Sequence, residues 1–342
     1  MDEENPQDTV GHGGVMLTSL SIENFRLFKK LEVKSLNRVN LIAGENNVGK
    51  TALLEALYLL FADSNRFMDF PSILRTSQGV DEFDSFWLWL FYDKNQANRV
   101  EIKASGDHSY AAIVDQQADE FPGSTATFQY LRDGVLTGQR RVNRDGSFGR
   151  SDPTSGWPGV TVFSTSPSAP ADDADHFNLI AAKRGGRRAL VEQLRIVEPR
   201  LQDLQYLKIG KVPLVYADVG MENLVPCTQL GQGFSRLLRL FSEMLLAKSK
   251  IALIDEIENG IHYSAMGKVW KGIAAVAAKE DLRVFATTHS YECIRSAHKS
   301  FSAERQYDLT VHRLERVGED IRVASYDRTS LETSFEMNLE VR

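Results

Sequence analysis

The spacing of apolar residues near the start of the chain predicts two strands followed by a helix. Residues 16–22 alternate between apolar and polar side chains, and residues 39–43 form a short apolar run suited to a buried strand. Residues 52–61 are strong helix formers. The polar, glycine-rich residues 1–15 predict a disordered leader.

Between about residues 98 and 165 the pattern changes to short β-like runs. Turn-forming segments rich in Gly, Asp and Asn separate these runs, as expected for hairpins. We therefore expect an antiparallel β lobe, with strands at 100–102, 110–114, 125–131 and 160–163. Residues 164–175 are rich in Ser, Pro, Ala and Asp and predict a mobile connector.

A helical period follows the connector. Apolar residues at Leu190, Leu194, Val197, Leu201 and Leu204 are spaced four, three, four and three apart, with Pro199 as a kink or a helix start. A helix of this length would extend roughly 30 Å. The pattern predicts a short inserted helical arm over about 172–208, and no long coiled coil.

The last third of the sequence predicts an α/β fold with a parallel sheet, because buried strands alternate there with helices. The expected strands are 212–216, 251–254 and 284–287, and the expected helices are 234–246 and 264–278. Closing strands and a short helix are expected over 308–342. Residues 16–342 are therefore predicted to form one large domain.

Composition narrows the class of protein without identifying it. The chain has 342 residues, of which 42% are hydrophobic and 25% charged, as in soluble globular proteins. The net charge of −6 argues against a uniformly basic surface, although a local basic groove stays possible. Cys227 and Cys293 are far apart, which gives no disulfide framework or zinc motif. With neither a signal peptide nor an 18-residue apolar run, we expect a cytoplasmic protein without a membrane partner.

Residues 44–51 read Gly-Glu-Asn-Asn-Val-Gly-Lys-Thr, a complete GxxxxGK[ST] phosphate-binding loop. The loop lies between a predicted strand and a predicted helix, and this context argues against a chance glycine-rich turn. Lys50 is expected to reach the β- and γ-phosphates of ATP, and Thr51 to bind Mg²⁺. The residues expected to contact the nucleotide are Gly44, Glu45, Asn46, Asn47, Val48, Gly49, Lys50 and Thr51.

An acidic pair follows the apolar run at 251–254. A buried strand that ends here would place Asp255 at the carboxyl edge of the sheet, where it can hold Mg²⁺ through water. Glu256 has the chemistry to polarise the attacking water as a general base. A helix cap or a solvated acidic pair is the alternative, which the upstream phosphate loop disfavours.

Two further motifs complete the predicted site. His289 follows a buried strand within Thr-Thr-His-Ser and can contact the γ-phosphate, although lone histidines are more often structural. Gly231, Gln232 and Gly233 open a predicted helix and can form a second anion-binding site. Since one ATP does not need two such sites, we expect the second to face the γ-phosphate held by another copy of the chain.

These motifs together resemble the ABC-type ATPases of the SMC/RecF branch, and more narrowly the OLD-like, AAA_15-type ATPases. The resemblance rests on Ile-Glu-Asn-Phe-Arg-Leu-Phe at 22–28, the phosphate loop, and LGxGxxR at 230–236. It continues with Asp-Glu-Ile-Glu-Asn-Gly-Ile-His at 255–262 and the Thr-Thr-His-Ser switch, in the family's order.

The resemblance implies a P-loop ABC-type fold in which two protomers enclose two ATP molecules. It also implies that Arg26 lies near the nucleotide, and that Asn259 and His262 lie in a loop crossing the dimer interface. Three features depart from the pattern. No long coiled-coil arm is predicted, and the residues after His289 are too few for the Toprim nuclease domain of full-length OLD proteins. Gly231 replaces the serine usual in transporters.

Two basic groups raise the question of DNA binding. Residues 183–188 contain the densest positive run, and a looser group comprises Arg132, Arg140, Arg141, Arg144 and Arg150. Contact with a DNA backbone and a solvated or acid-paired surface both fit such runs. The aromatic stretch at 87–92 fits a core strand or a partner-docking surface better than a base-stacking platform.

The sequence as a whole predicts a dimeric ATPase that uses ATP and Mg²⁺. Through the family resemblance, we expect it to act as sensor and scaffold for a separate Toprim-type nuclease in prokaryotic anti-phage defence or DNA maintenance. A RecF-like DNA-binding clamp in repair is the main alternative. A transporter ATPase subunit is a third, which the flanking motifs disfavour.

Overall fold

The computed structural model describes residues 15–62, 67, 70, 87–115, 124–143, 148–151, 157–163, 169–337 and 339–341. The predicted leader lies outside the described residues except for Val15, and residues 164–168 of the predicted connector also lie outside them.

The strands are β1 (Leu17–Phe25), β2 (Phe28–Lys34), β3 (Val39–Gly44), β4 (Val100–Gly106), β5 (Ser109–Asp115), β6 (Ser124–Arg132), β7 (Val135–Asn143), β8 (Phe148–Ser151), β9 (Val160–Phe163), β10 (Asp203–Leu207), β11 (Leu214–Asp218), β12 (Val225–Pro226), β13 (Ile251–Ile254), β14 (Arg283–Thr288), β15 (Leu309–Val317) and β16 (Asp320–Tyr326). The α-helices are α1 (Lys50–Phe61), α2 (Pro170–Ala181), α3 (Gly186–Leu194), α4 (Gln232–Leu246), α5 (Tyr263–Glu280), α6 (Tyr291–Ser302) and α7 (Arg328–Glu336).

A six-stranded sheet in the order β16-β15-β3-β14-β13-β9 forms the centre of the fold. All its neighbouring strands are parallel except β16, which is antiparallel to β15. Every residue of β3 and β13 is buried, as expected for parallel strands covered on both faces. In this register β3, β13 and β14 end side by side, so the loops that follow them meet at one edge.

The second sheet is antiparallel, with strands in the order β2-β1-β4-β5-β6-β7-β8. The predicted lobe therefore also includes β1 and β2. The prediction was wrong for β9, which pairs in parallel with β13 in the central sheet. Its four residues are too few for a period to distinguish the two kinds of strand. Helix α1 packs against strands of both sheets, which explains why all but one of its residues are buried.

The inserted arm combines α2 and α3 with a small antiparallel sheet in the order β10-β11-β12. The predicted long helix ends at Leu194, and Leu204 belongs to β10, where it pairs with Ala217 of β11. The helical spacing failed here because both elements bury leucines on the same core. Two further corrections follow: residues 170–175 begin α2 instead of a connector, and β11 lies outside the parallel sheet.

Helices α4, α5 and α6 belong to a hydrophobic cluster that also includes alternate residues of the central sheet. The stretch at 87–92 does not form the expected strand. Trp87, Leu90 and Phe91 are nevertheless buried, whereas Trp89 is 54% exposed and lies beneath the Lys94 ammonium. Within the described residues no helix is both long and apolar enough to cross a membrane.

Candidate nucleotide-binding site

The phosphate loop connects β3 to the first turn of α1. Gly49 adopts a φ of +98°, and a Cβ there would lie 2.7 Å from the Phe28 ring, so glycine is required on both grounds. The Nζ of Lys50 donates hydrogen bonds to the carbonyls of Gly44 at 2.7 Å and Glu45 at 2.6 Å. Burial lowers the pKa of Lys50. The loop thus holds a desolvated ammonium group at the helix N-terminus, an arrangement suited to a polyphosphate.

Asp255 lies at the end of β13, beside the first turn of α1. Its Oδ2 accepts a hydrogen bond from the Thr51 hydroxyl at 3.3 Å, and its Oδ1 accepts one from the Thr287 hydroxyl at 2.5 Å. Burial raises the pKa of Asp255, and the Thr287 bond opposes that rise. The two strand ends therefore hold a carboxylate next to the phosphate loop.

Glu256 is held from several directions. Its backbone has a φ of +47°, a left-handed conformation that is costly for a residue with a side chain and is often found at functional sites. One carboxylate oxygen lies 3.2 Å from His289 Nε2, and the other accepts a hydrogen bond from the Asn259 amide. Arg236 donates from Nη2 to the Glu256 carbonyl at 2.8 Å. These contacts fix the carboxylate at the mouth of the site.

A cavity of about 460 Å³ brings most of the predicted residues together. It is lined by Leu27, Asn46, Asn47, Gly49, Lys50, Thr51, Ala52, Asp255, Glu256 and His289. Gly44 and Glu45 do not line the cavity, but their carbonyls accept hydrogen bonds from Lys50. Val48 is buried beneath the loop. The cavity is large enough for a small-molecule ligand.

The predicted second anion site lies elsewhere in the same chain. Gly231 and Gln232 are exposed at the start of α4, and Gly233 lines a different cavity of about 410 Å³ beside His262. Gly231, Gln232 and Gly233 do not line the cavity at the phosphate loop.

Arg26 does not line the cavity. Its Nε lies 2.9 Å from Glu55 Oε2, and the two side chains are only 9% and 3% exposed. Its guanidinium also lies within 6 Å of the Phe25 and Phe70 ring centroids, at 5.9 and 5.8 Å. Because Glu55 belongs to α1, Arg26 connects the β1–β2 turn to the helix that follows the phosphate loop.

The donor set beside the phosphate loop fits Mg²⁺. Thr51 and Asp255 offer a hydroxyl and a carboxylate oxygen 3.3 Å apart, and hard cations prefer oxygen ligands. The described residues contain no cluster of three or more acidic, His or Cys side chains that could bind a metal alone. Two protein oxygens nevertheless suit Mg²⁺, which completes its shell with phosphate oxygens and water.

The two basic groups differ in structure. Arg140 is only 2% exposed and donates to Tyr130 Oη at 3.0 Å and to the Ala62 carbonyl at 2.9 Å, so DNA cannot reach it. Arg144 and the side chain of Arg150 lie outside the described residues. The run at 183–188 spans the exposed turn between α2 and α3 and the first residues of α3, where Arg187 pairs with Asp203 and Arg188 with Glu192.

Three residues of the site were not predicted from the sequence. Leu27 lines the cavity, Thr287 binds Asp255, and Glu258 Oε1 accepts the His289 backbone N–H at 2.8 Å. Each lies within a motif that was recognised, but its own role depends on contacts between distant loops.

Two family models match the chain in succession. One, described as "AAA ATPase domain", matches residues 16–127, and the other, described as "AAA domain, putative AbiEii toxin, Type IV TA system", matches residues 126–295. The first covers the phosphate loop, and the second covers the acidic pair and His289.

Two known proteins with similar sequences are informative. An "ATP/GTP phosphatase" of Helicobacter pylori is 25% identical over 322 residues, covering 82% of this chain and 86% of the relative. A "DNA replication and repair protein RecF" of Rickettsia massiliae is 42% identical over 65 residues, which are only 19% of this chain and 18% of that protein.

The fold is similar to that of SMC head domains. A solved SMC head bound to the C-terminal winged-helix domain of ScpA matches with a TM-score of 0.52 at 12% identity, covering 94% of this chain and 99% of that one. A second, bound to the C-terminal domain of ScpA derived from Pyrococcus furiosus, matches with a TM-score of 0.52 at 11% identity. With the two AAA models, this fold supports an ABC-type ATPase of the SMC/RecF branch.

Proposed function

We propose that this chain hydrolyses ATP in a head-to-tail dimer and acts as sensor and scaffold for a separate effector. The observation that carries the proposal is the meeting of Lys50, Thr51, Asp255, Glu256 and His289 around one cavity. These residues come from three separate loops, and together they offer a cation, oxygen ligands and a carboxylate with a histidine partner.

The geometry suggests how each side chain acts on ATP. Lys50 gives up its two carbonyl partners for the β- and γ-phosphates, whose charge offsets the cost of burying its ammonium. Glu256 accepts a proton from the attacking water, and His289 contacts the γ-phosphate. Thr51 and Asp255 would hold Mg²⁺, which supplies charge neutralisation between the phosphates.

The separation of the two expected anion-binding sites supports the proposed dimer. Gly231 and Gln232 are exposed and lie outside the cavity that contains Lys50, as do the exposed side chains of Asn259 and His262. A second copy, rotated by two-fold symmetry, can therefore place its helix N-terminus over the γ-phosphate. In this model ATP closes the dimer, and hydrolysis reopens it.

Nucleotide binding and turnover are tested by Lys50→Ala. We expect it to lose ATP binding, because it removes the ammonium that replaces water around the phosphates. Lys271→Ala is a matched control on α5, remote from the cavity lining. Retained ATP affinity in Lys50→Ala, measured by calorimetry, would contradict the assignment.

We propose a Toprim-type nuclease as the effector, in anti-phage defence or DNA maintenance. Support comes from the family resemblance and from the toxin–antitoxin description of the second matching model. The test is a pull-down of tagged Glu256→Gln from its native host, with Lys50→Ala as the control that cannot close. Stoichiometric recovery of a nuclease with the first bait alone would support an effector complex, and recovery of the chain alone would contradict it.

The alternative is a RecF-like clamp on DNA. The RecF similarity and the exposed turn at 183–188 favour it, since Lys183 and Arg184 both face solvent. The clamp predicts that DNA alone stimulates ATP hydrolysis, and that Arg184→Glu abolishes the stimulation. Arg305→Glu, an exposed change far along the chain, serves as the control. An ATPase rate that DNA does not change would exclude the clamp.

A further inference from the structure

Glu258 connects the loop after β13 to the loop after β14. It lies two residues beyond Glu256, and its Oε1 accepts a hydrogen bond from the backbone N–H of His289 at 2.8 Å. That N–H belongs to the residue whose ring contacts Glu256. The Glu258 carboxylate therefore fixes the backbone of His289, whose ring contacts the Glu256 carboxylate.

The second oxygen of Glu258 is buried and accepts no hydrogen bond within the described part of the chain. A buried carboxylate oxygen without a partner is costly, so the position is expected to have compensating charge nearby. Arg236, a residue of α4, and Lys50 both place positive charge near Glu258. Burial lowers the pKa of Arg236 to about 10, and the nearby charges of Glu258 and then Glu256 oppose the shift.

Arg236 also ties the same loop to the helix that begins at the second anion site. It donates to the Glu256 carbonyl at 2.8 Å, and its side chain passes 3.9 Å from where a Cβ on Gly260 would lie. One turn earlier in α4, a Cβ on Gly233 would lie 3.0 Å from the Gly260 carbonyl. The first turn of α4 thus packs closely on the loop that contains Glu256 and Glu258.

From this geometry we infer that Glu258 is a positioning residue for ATP hydrolysis, holding His289 in register with Glu256 and linking both to α4 through Arg236. The inference rests on the proposed function, since it assigns a role within the same site. Glu258 does not line the cavity; it acts through the His289 backbone. A γ-phosphate that a second copy of the chain presents at the start of α4 would thereby affect the position of the Glu256 carboxylate, which activates the water.

The test compares Glu258→Ala with Glu258→Gln. Alanine removes the acceptor of the His289 N–H, whereas the glutamine side-chain oxygen keeps it. We expect Glu258→Ala to lower kcat on the order of 100-fold, as for comparable misplacement of a catalytic group, with the KM for ATP within about 3-fold of wild type. Glu258→Gln is expected to recover most of kcat. Glu304→Ala, at an exposed loop position, is the matched control.

Two results would overturn the inference. One is a kcat for Glu258→Ala within about 3-fold of wild type. The other is a parallel loss of kcat and ATP affinity that glutamine does not recover, which indicates general damage to the fold. Failure of the proposed function looks different, because the wild type and Glu304→Ala would then not hydrolyse ATP at all. ATP affinity and the thermal midpoint of each variant are measured alongside.

Discussion

The Thr287 hydroxyl donates a hydrogen bond to Asp255 Oδ1 at 2.5 Å and accepts one from the backbone N–H of Glu256 at 2.8 Å. Thr287 is fully buried at the end of β14, so water cannot replace either bond. Thr287 therefore orients the carboxylate of Asp255, the proposed metal ligand, and holds the backbone N–H of Glu256, whose conformation is strained.

Thr287→Val tests this relationship with a side chain of the same shape. Loss of both hydrogen bonds should cost about 1–3 kcal/mol, and if the transition state bears that cost, ATP turnover should fall roughly 5- to 160-fold. Thr287→Ser keeps the hydroxyl and should stay close to wild type. Steady-state kinetics distinguish the two variants. If Thr287→Val hydrolysed ATP as fast as wild type, Thr287 would have no such role.

Arg140 is predicted to stabilise the fold instead of binding DNA. Its guanidinium donates to the Ala62 carbonyl at the C-terminal end of α1, where a positive charge also complements the helix dipole. Arg140→Met should lower the free energy of unfolding by about 2–4 kcal/mol, because it leaves a buried carbonyl unpaired. Arg141→Met, on the neighbouring and partly exposed position of β7, should cost much less. Urea unfolding provides the measurement, and equal costs would contradict the assignment.

The Arg26–Glu55 pair should behave as a buried ion pair. Removing either charge alone leaves the other uncompensated, and we expect each of Arg26→Met and Glu55→Met to cost about 3–5 kcal/mol. The double variant should cost clearly less than the sum of the two. Additive costs would contradict the ion pair. A loss of ATP affinity in Arg26→Met without a loss of stability would instead indicate direct contact with the nucleotide.

His312 predicts a pH dependence of stability. Complete burial lowers its pKa from 6.5 to about 4, and its ring nitrogens face Ser325 Oγ at 2.8 Å and Asn40 Oδ1 at 3.3 Å. Because the unfolded chain binds the proton more tightly, stability is present above pH 6.5 and is lost as pH falls toward 4. This residue alone should remove on the order of 2 kcal/mol between pH 7 and pH 5.

The measurement for His312 compares urea unfolding of wild type and His312→Gln at both pH values. Glutamine cannot titrate, so the variant should show a smaller difference between pH 7 and pH 5, whatever its absolute stability. A difference equal to that of wild type would show that His312 does not titrate across the transition.

The strand, loop and helix around each motif could be predicted from the sequence. The phosphate loop and the acidic pair after β13 are contiguous motifs that carry their own strand and helix context, and the register of β3, β13 and β14 brings them together. The roles of Thr287 and Glu258 could not be predicted in this way. Both act through hydrogen bonds to residues about 30 positions away, for which a single sequence contains no periodic signal.

The errors in the predicted fold also have physical causes. Leucines in α3 and β10 share a helical spacing by coincidence, because a helix and a strand bury them on one core. The run at β9 was assigned to the wrong sheet, since a short apolar strand has no feature that selects its neighbours. Arg140 was grouped with surface cations because charge in a sequence gives no information on burial.

Closure of an ATP-bound dimer is the central claim, and Glu256→Gln tests it most directly. Glutamine preserves the size of the side chain but cannot accept the proton of the attacking water, so ATP should bind without being hydrolysed. Light scattering coupled to size-exclusion chromatography should then show a dimer with ATP and Mg²⁺, and a monomer without them. Lys50→Ala should stay monomeric throughout. A Glu256→Gln chain that remains monomeric in saturating ATP would contradict the account.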